Sequence, residues 1–208
     1  MRYLRLKEQL KEFTVFSVSD IRNLDDHFHR RRLNEWQEKD YIIKIIKGYY
    51  IFSDLALNES VLFEIANRIY NPSYVSFEMA LSHYGFIPES IYGVTSASSR
   101  KTCVFKTKIA AFSYRTIKPG LFFGYDMIQY NNKSFKLASP EKALLDYFYI
   151  NPSLKTGDDY ESLRVNKKTF FKTVNTKKLF DYLGKFSQKT LARRVNGFLE
   201  FLSKKGDA

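Results

Sequence analysis

Three short helix-like stretches followed at once by a pair of β-forming runs leave few ways to fold the first fifty-four residues. Leu4, Leu6, Leu10 and Phe13 recur at near-helical spacing in a charged background, which predicts an amphipathic first helix. In Phe16-Ser17-Val18-Ser19-Asp20-Ile21, Ser and Asp are N-cap candidates for a short second helix ending near Leu24. Asp25-Asp26 breaks that helix and is expected to cap a third, running from about His27 to Lys39. Tyr41–Ile46 and Tyr49–Phe52 then flank Lys47-Gly48, the pattern of a hairpin with glycine in the turn. Three short helices and a hairpin, in that order, are the layout of a winged helix-turn-helix, so DNA is the expected partner.

The third helix carries the chemistry of that expectation. At about 100° per residue Leu33 and Trp36 share an apolar face with His29 beside it. Arg31, Asn34 and Glu38 lie opposite, and Arg30 and Arg32 flank them. A recognition helix needs an apolar stripe to seat it and Arg or Asn to reach base edges: Arg offers two donors to guanine, and Asn pairs with adenine. Standing alone, His29-Arg30-Arg31-Arg32 would be a solvated basic run; followed by the hairpin, it reads as a DNA contact surface. Lys44 and Lys47, on the hairpin, are placed for phosphate contacts that give affinity and register but little sequence reading.

From residue 55 the pattern changes. Glu59–Tyr70 and Ser76–Tyr84 read as helices, stopped by Asn71-Pro72 and Gly85 respectively. Successive strands are expected at Val94–Ser98, Thr102–Thr107, Ala110–Thr116, Gly124–Gln129 and Ser134–Leu137, and Ser139-Pro140 starts a helix that runs to Asn151-Pro152. Residues 151–208 are expected to be mainly helical, with helices at about Thr176–Leu183 and Gln188–Ser203. The expected fold class is therefore α+β: a DNA-binding unit over residues 1–54, then a domain over 55–208. That domain divides into a mixed α/β body with a mainly antiparallel sheet (55–150) and a basic helical tail (151–208).

Charge supports a polyanionic partner. The chain carries 34 Lys and Arg against 22 Asp and Glu, a net +12. The tail holds most of that excess, with thirteen Lys and Arg against six Asp and Glu. Lys167, Lys168, Lys177, Lys178, Arg193 and Arg194 are candidates for an accessory basic surface, because neutralising phosphates releases condensed counterions.

Patterns for catalysis are scarce. His27, His29 and His83 are too few for a convincing metal site, and the single cysteine, Cys103, permits neither an internal disulfide nor a zinc cluster. It is expected to be a small buried residue in a strand. There is no glycine-rich phosphate loop and no nucleophile elbow. Glu141, Lys142 and Asp146 resemble a nuclease set, but their spacing on one helix provides no metal pair; they are expected on the helix surface, complementing its dipole. Glu78 and His83, five apart, share no face. No catalytic residue, cofactor or metal is expected, and with neither a signal-peptide run nor a membrane-spanning stretch the reading is a soluble cytoplasmic protein without a membrane partner.

The order of motifs resembles the AbiEi-type antitoxins and transcriptional regulators of type IV toxin–antitoxin systems. The resemblance runs over roughly residues 10–150. It is carried by Val18-Ser19-Asp20-Ile21 through Leu33, Lys39-Asp40-Tyr41-Ile42 and Lys47-Gly48-Tyr49-Tyr50, then by Tyr74–Gly85 and Ile87-Pro88-Glu89. Val94-Thr95-Ser96, Phe112-Ser113-Tyr114-Arg115 and Ala138–Asp146 complete it. The resemblance implies a bacterial autorepressor that binds inverted repeats in its own promoter through the winged helix, with Arg30, Arg31, Arg32, Asn34, Lys44 and Lys47 touching DNA. It also implies a C-terminal domain that counteracts a nucleotidyltransferase-like toxin without forming a stable complex with it. One departure is the acidic turn Asp25-Asp26 ahead of the third helix. Two other readings remain open: a stand-alone regulator without a toxin, and a DNA-processing enzyme built on the middle domain.

Overall fold

The computed structural model of the chain describes residues 1–88 and 93–204; Glu89 of the Ile87-Pro88-Glu89 motif lies outside them. The fold is α+β, with ten α-helices among the described residues, one three-stranded antiparallel sheet and one six-stranded mixed sheet.

The N-terminal unit comprises α1 (Tyr3–Leu10), β1 (Phe16–Ser17), α2 (Val18–Leu24), α3 (Arg31–Glu38), β2 (Ile42–Ile46) and β3 (Tyr49–Phe52). Its sheet runs in the order β1-β3-β2. Side chains alternate across the strands, so one face sends Phe16, Ile42, Tyr50 and Phe52 into a core with Leu6, Leu10, Ile21, Leu33 and Trp36. The other face sends Ile45 and Ile51 into the large core of the body. The two-residue β1 was not foreseen, because it is too short to show a period.

The body contains α4 (Glu59–Ile69), β4 (Ser73–Val75), α5 (Phe77–His83), β5 (Gly93–Ser98), β6 (Cys103–Lys106), β7 (Ala111–Thr116), β8 (Tyr125–Tyr130), β9 (Lys133–Ala138) and α6 (Pro140–Ile150). Its sheet has the order β6-β7-β5-β4-β9-β8. Three of the five pairings are antiparallel, while β5 with β7 and β4 with β9 are parallel, so the sheet is mixed. The cause lies in burial. Strand β7 brings Phe112 and Tyr114 into the core and takes the place beside β5, whereas β6, with Val104 58% exposed, is left at the edge. The short β4, also unforeseen, fills the centre. Cys103 sits on that edge strand half-buried, not buried as expected.

Four helices complete the described residues: α7 (Gly157–Ser162), α8 (Lys167–Thr173), α9 (Thr176–Phe186) and α10 (Lys189–Lys204). Their apolar stripes, including Leu179, Leu183, Leu191, Val195 and Phe198, cover α6. Helix α6 is thereby enclosed between α5, the sheet, α9 and α10. That enclosure overturns the expectation that Glu141, Lys142 and Asp146 lie on a helix surface. Lys142 and Asp146 are both 0% exposed and Glu141 is 2% exposed.

The three charges are held by partners rather than by water. Asp146 accepts hydrogen bonds from Lys142 Nζ, from Tyr74 Oη at 2.8 Å and from Ser76 Oγ at 2.9 Å. The Lys142 ammonium also stands 5.0 Å from the ring centroids of both Phe123 and Phe186. Burial pushes the Asp146 carboxyl up and the Lys142 amine down, each resisted by the other's charge. Glu141 accepts from the Asn175 N–H at 2.9 Å and the Ser139 hydroxyl at 3.0 Å, and pairs with Lys178 at 3.1 Å. Burial raises its carboxyl pKa, but these donors hold it below the usual range.

Removing one partner of a buried pair leaves the other charge uncompensated. Lys142→Met is expected to cost about 3–5 kcal/mol in urea unfolding at neutral pH. Adding Asp146→Asn, which keeps an acceptor for Tyr74 and Ser76, should recover most of that loss. The single variant should also change its pH response. A carboxyl whose folded-state pKa lies above its unfolded value binds more protons in the native state. Stability is then highest below the unfolded value and falls as pH rises towards the folded one, so Lys142→Met should weaken with rising pH above the ordinary carboxylate range.

Candidate nucleic-acid interface

Helix α3 is seated by its apolar residues. Leu33 and Trp36 are buried, and the Trp36 ring packs 5.6 Å from Phe28 and 6.0 Å from Tyr3. Fixing that face leaves Arg31, Asn34 and Glu38 exposed on the opposite side. The helix begins at Arg31, four residues later than expected. Residues 25–30 form tight turns instead, with N–H groups of Phe28, Arg32 and Leu33 donating to carbonyls three residues back, while Phe28 plugs the core.

The acidic turn plays a different part from the expected cap. Asp25 closes α2, its N–H donating to Ile21 O at 3.0 Å, and its carboxylate takes the Met1 ammonium at 2.9 Å. Among the described residues no side chain caps the start of α3. The cap of α2 is Ser17, in a reciprocal capping box with Asp20. Burial pushes the Asp20 carboxyl up, but hydrogen bonds from Ser17 and the Arg68 guanidinium at 3.2 Å hold it below the usual range. This ties α2 to α4 of the body.

The hairpin is set beside the start of α3 by strand register. Lys44 lies opposite Tyr50, on the face that looks towards the helices. Tyr50 itself is buried; burial raises its phenol pKa, and the Arg30 guanidinium opposes the rise. A register shift between Lys44 and Ile46 precedes the turn, in which Gly48 adopts φ +89°. The Gly48 carbonyl accepts from the Val18 N–H at 3.1 Å, binding the turn to the first residue of α2.

Between α3 and the hairpin lies a depression of about 210 Å³. Arg30, Arg31, Asn34, Lys44 and Lys47 line it, over a floor that includes Val18, Leu33 and Tyr50. Five of the six side chains expected to contact DNA thus converge on one place, and among the described residues no carboxylate lines it. The sixth does not join them. Arg32 turns away, its Nη1 donating to the Met1 carbonyl at 2.7 Å. The floor residues were not foreseen as part of a site, since Val18 and Tyr50 read only as core positions.

The candidate accessory residues do not form one surface. Lys168, Lys177 and Arg193 are exposed. Lys178 is engaged with Glu141, and Arg194 is buried, donating to the carbonyls of Phe148 and Asn151. Lys167 is half-buried, and its Nζ makes no hydrogen bond among the described residues. Periodicity could not separate these cases, because each depends on what the helix packs against.

His27 stands 3.7 Å from Asp26, both fully in solvent, and His83 pairs with Glu59 at 2.7 Å, not with Glu78. Glu78 pairs with Arg115 at 3.3 Å. Among the described residues no group of three or more His, Cys, Asp and Glu is placed to hold a metal ion, and no helix is long and apolar enough to cross a membrane. Comparison with models of known protein families and with curated proteins gives no match.

The turn conformation is itself testable. A Cβ at Gly48 would meet nothing within 4 Å, so any cost of Gly48→Ala comes from the left-handed backbone alone. That substitution should lower the unfolding free energy by about 1–2 kcal/mol, measured by thermal or urea denaturation.

Proposed function

We propose that residues 1–54 are a winged helix-turn-helix, with α2 and α3 as the helix pair, α3 as the recognition helix and β2–β3 as the wing. The chain then acts as a DNA-binding transcriptional repressor of its own promoter, recognising double-stranded inverted repeats. The observation that carries this reading is the convergence of Arg30, Arg31, Lys44, Lys47 and Asn34 on one depression whose described lining holds no acid. Four cations beside an amide supply both phosphate neutralisation and base-edge donors. Arg31 and Asn34 take the base-reading roles and Lys44 and Lys47 the phosphate roles, while Arg32, held by a backbone carbonyl, supports the fold of the unit.

For the body, the resemblance to AbiEi-type antitoxins supplies the proposal: a cytoplasmic antitoxin of a type IV system, opposing a nucleotidyltransferase-like toxin without a stable complex. A stand-alone regulator differs from this only in lacking the toxin, and a nucleotidyltransferase gene beside this one separates the two. The DNA-processing alternative loses its observation, because Glu141, Lys142 and Asp146 are enclosed and held by one another's neighbours.

The test is titration of the purified chain with its own upstream duplex and with a scrambled duplex across a range of salt. Sequence-preferring binding with a steep salt dependence is expected. Arg31→Ala should weaken specific binding by roughly 1–3 kcal/mol and relax the preference at one base position. Lys47→Ala should weaken both duplexes alike and lower the salt slope by about one. Unchanged promoter affinity in Arg31→Ala would remove α3 from the interface.

A further inference from the structure

The face of α10 bearing Thr190, Arg193, Arg194 and Gly197, at i, i+3, i+4 and i+7, does not close fully against the body. With Pro152, Lys155 and Tyr160 it lines a cavity of about 560 Å³. This cavity shares no residue with the depression between α3 and the hairpin.

Arg194 is the informative residue. It is 9% exposed, and its Nη1 donates to Phe148 O at 2.8 Å and Asn151 O at 2.9 Å. Those carbonyls belong to the C-terminal end of α6, whose dipole favours a cation and fixes the plane of the guanidinium. They do not neutralise it. Among the described residues no carboxylate pairs with Arg194. Burial depresses its pKa, opposed only by the Tyr160 phenol. Buried charges in proteins ordinarily have a counter-charge; here the counter-charge is missing and the cavity adjoins the group that lacks it.

The surroundings add cations, not anions. Arg193 and Lys155 are exposed at the cavity. Asp159, on the same connection as Lys155, is turned to the cap of α7, where its Oδ2 accepts from the Lys155 and Thr156 N–H groups and the Thr156 hydroxyl. Gly197 keeps the wall open beside Tyr160: a Cβ there would stand 3.3 Å from the Tyr160 hydroxyl.

We infer that this cavity binds a small phosphate monoester, its phosphate held by Arg193, Arg194 and Lys155 and its organic body against Pro152, Tyr160 and Gly197. A monoester carries close to two negative charges at neutral pH, and the guanidinium fork matches phosphate oxygens geometrically. The volume is that of a small-molecule site and exceeds what an inorganic phosphate ion would fill. The inference stands apart from the DNA reading and uses none of its residues.

The experiment is calorimetric titration of the full chain with inorganic phosphate, the four ribonucleoside 5′-monophosphates, ribose 5-phosphate and glucose 6-phosphate, each ester beside its dephosphorylated counterpart. At least one ester should bind tenfold or more tightly than both inorganic phosphate and its counterpart. Arg193→Ala and Lys155→Ala, which leave the Arg194 contacts to α6 intact, should each weaken that ester by about tenfold without moving the melting temperature. Saturating promoter duplex should leave the ester bound. Failure of every ester to outbind inorganic phosphate, or equal binding by Arg193→Ala and the parent chain, would overturn the proposal. Displacement by the duplex would overturn it too, since the cavity would then belong to a nucleic-acid surface. The promoter titration uses different variants and a different readout, so either proposal can fail alone.

Discussion

A three-stranded sheet buried on both faces sets the position of everything at the candidate interface. Phe16, Ile42, Tyr50 and Phe52 pack against the helices of the N-terminal unit, while Ile45 and Ile51 pack into the body. Strand alternation makes this possible with few residues, and a one-residue slip would send each set into the wrong core. Because Lys44 shares a face and a register position with Tyr50, the same constraint delivers its amine to the start of α3. Polar contacts across the junction reinforce the arrangement: Arg68 with Asp20 at 3.2 Å, Thr14 with Glu64 at 2.6 Å, and Lys133 with Thr14 at 2.8 Å. A unit of about fifty residues buries little surface of its own, so leaning on the body contributes both stability and a fixed orientation.

The body is organised around a second constraint, the enclosure of α6. An amphipathic helix presents its charges to water, but a helix covered on all sides must satisfy them internally. Asp146 draws Tyr74 and Ser76 from the β4–α5 region, Glu141 takes the Asn175 N–H ahead of α9, and Arg194 of α10 closes the C-terminal end of α6. Each of these polar contacts specifies where a neighbouring element must sit. The segment Ala138–Asp146, part of the resemblance to AbiEi-type antitoxins, thus has a structural explanation within this chain. The resemblance itself remains the support for an antitoxin role, which the enclosed helix neither requires nor opposes.

Both proposals rest on the same electrostatic reasoning applied to two places. Cations gathered without acids imply an absent anion, and geometry distinguishes what kind. The depression at α3 is small and is lined from the helix and the hairpin together, so that a duplex backbone and its groove can meet both. The cavity at α10 is more than twice as large, is partly walled by Tyr160, and has a buried guanidinium at its base. That geometry suits a molecule small enough to enter.

The succession of helices and strands was legible in the chain wherever a pattern ran long enough to have a period. So were the apolar seat of α3 at Leu33 and Trp36, the glycine turn of the hairpin and the start of α6 at Ser139-Pro140. These depend on neighbours within a few residues, which a linear reading contains. Long-range packing, by contrast, puts β4 in the centre of the sheet and β6 at an edge, and takes Arg32 away from the site its neighbours share. The same packing buries Lys142 and Asp146 and engages Lys178 and Arg194 with the body, while Arg193 faces solvent. The physical reason is the same in each case. A charged side chain's role follows from which distant groups surround it, and one helix carries no record of whether two or four neighbours will cover it.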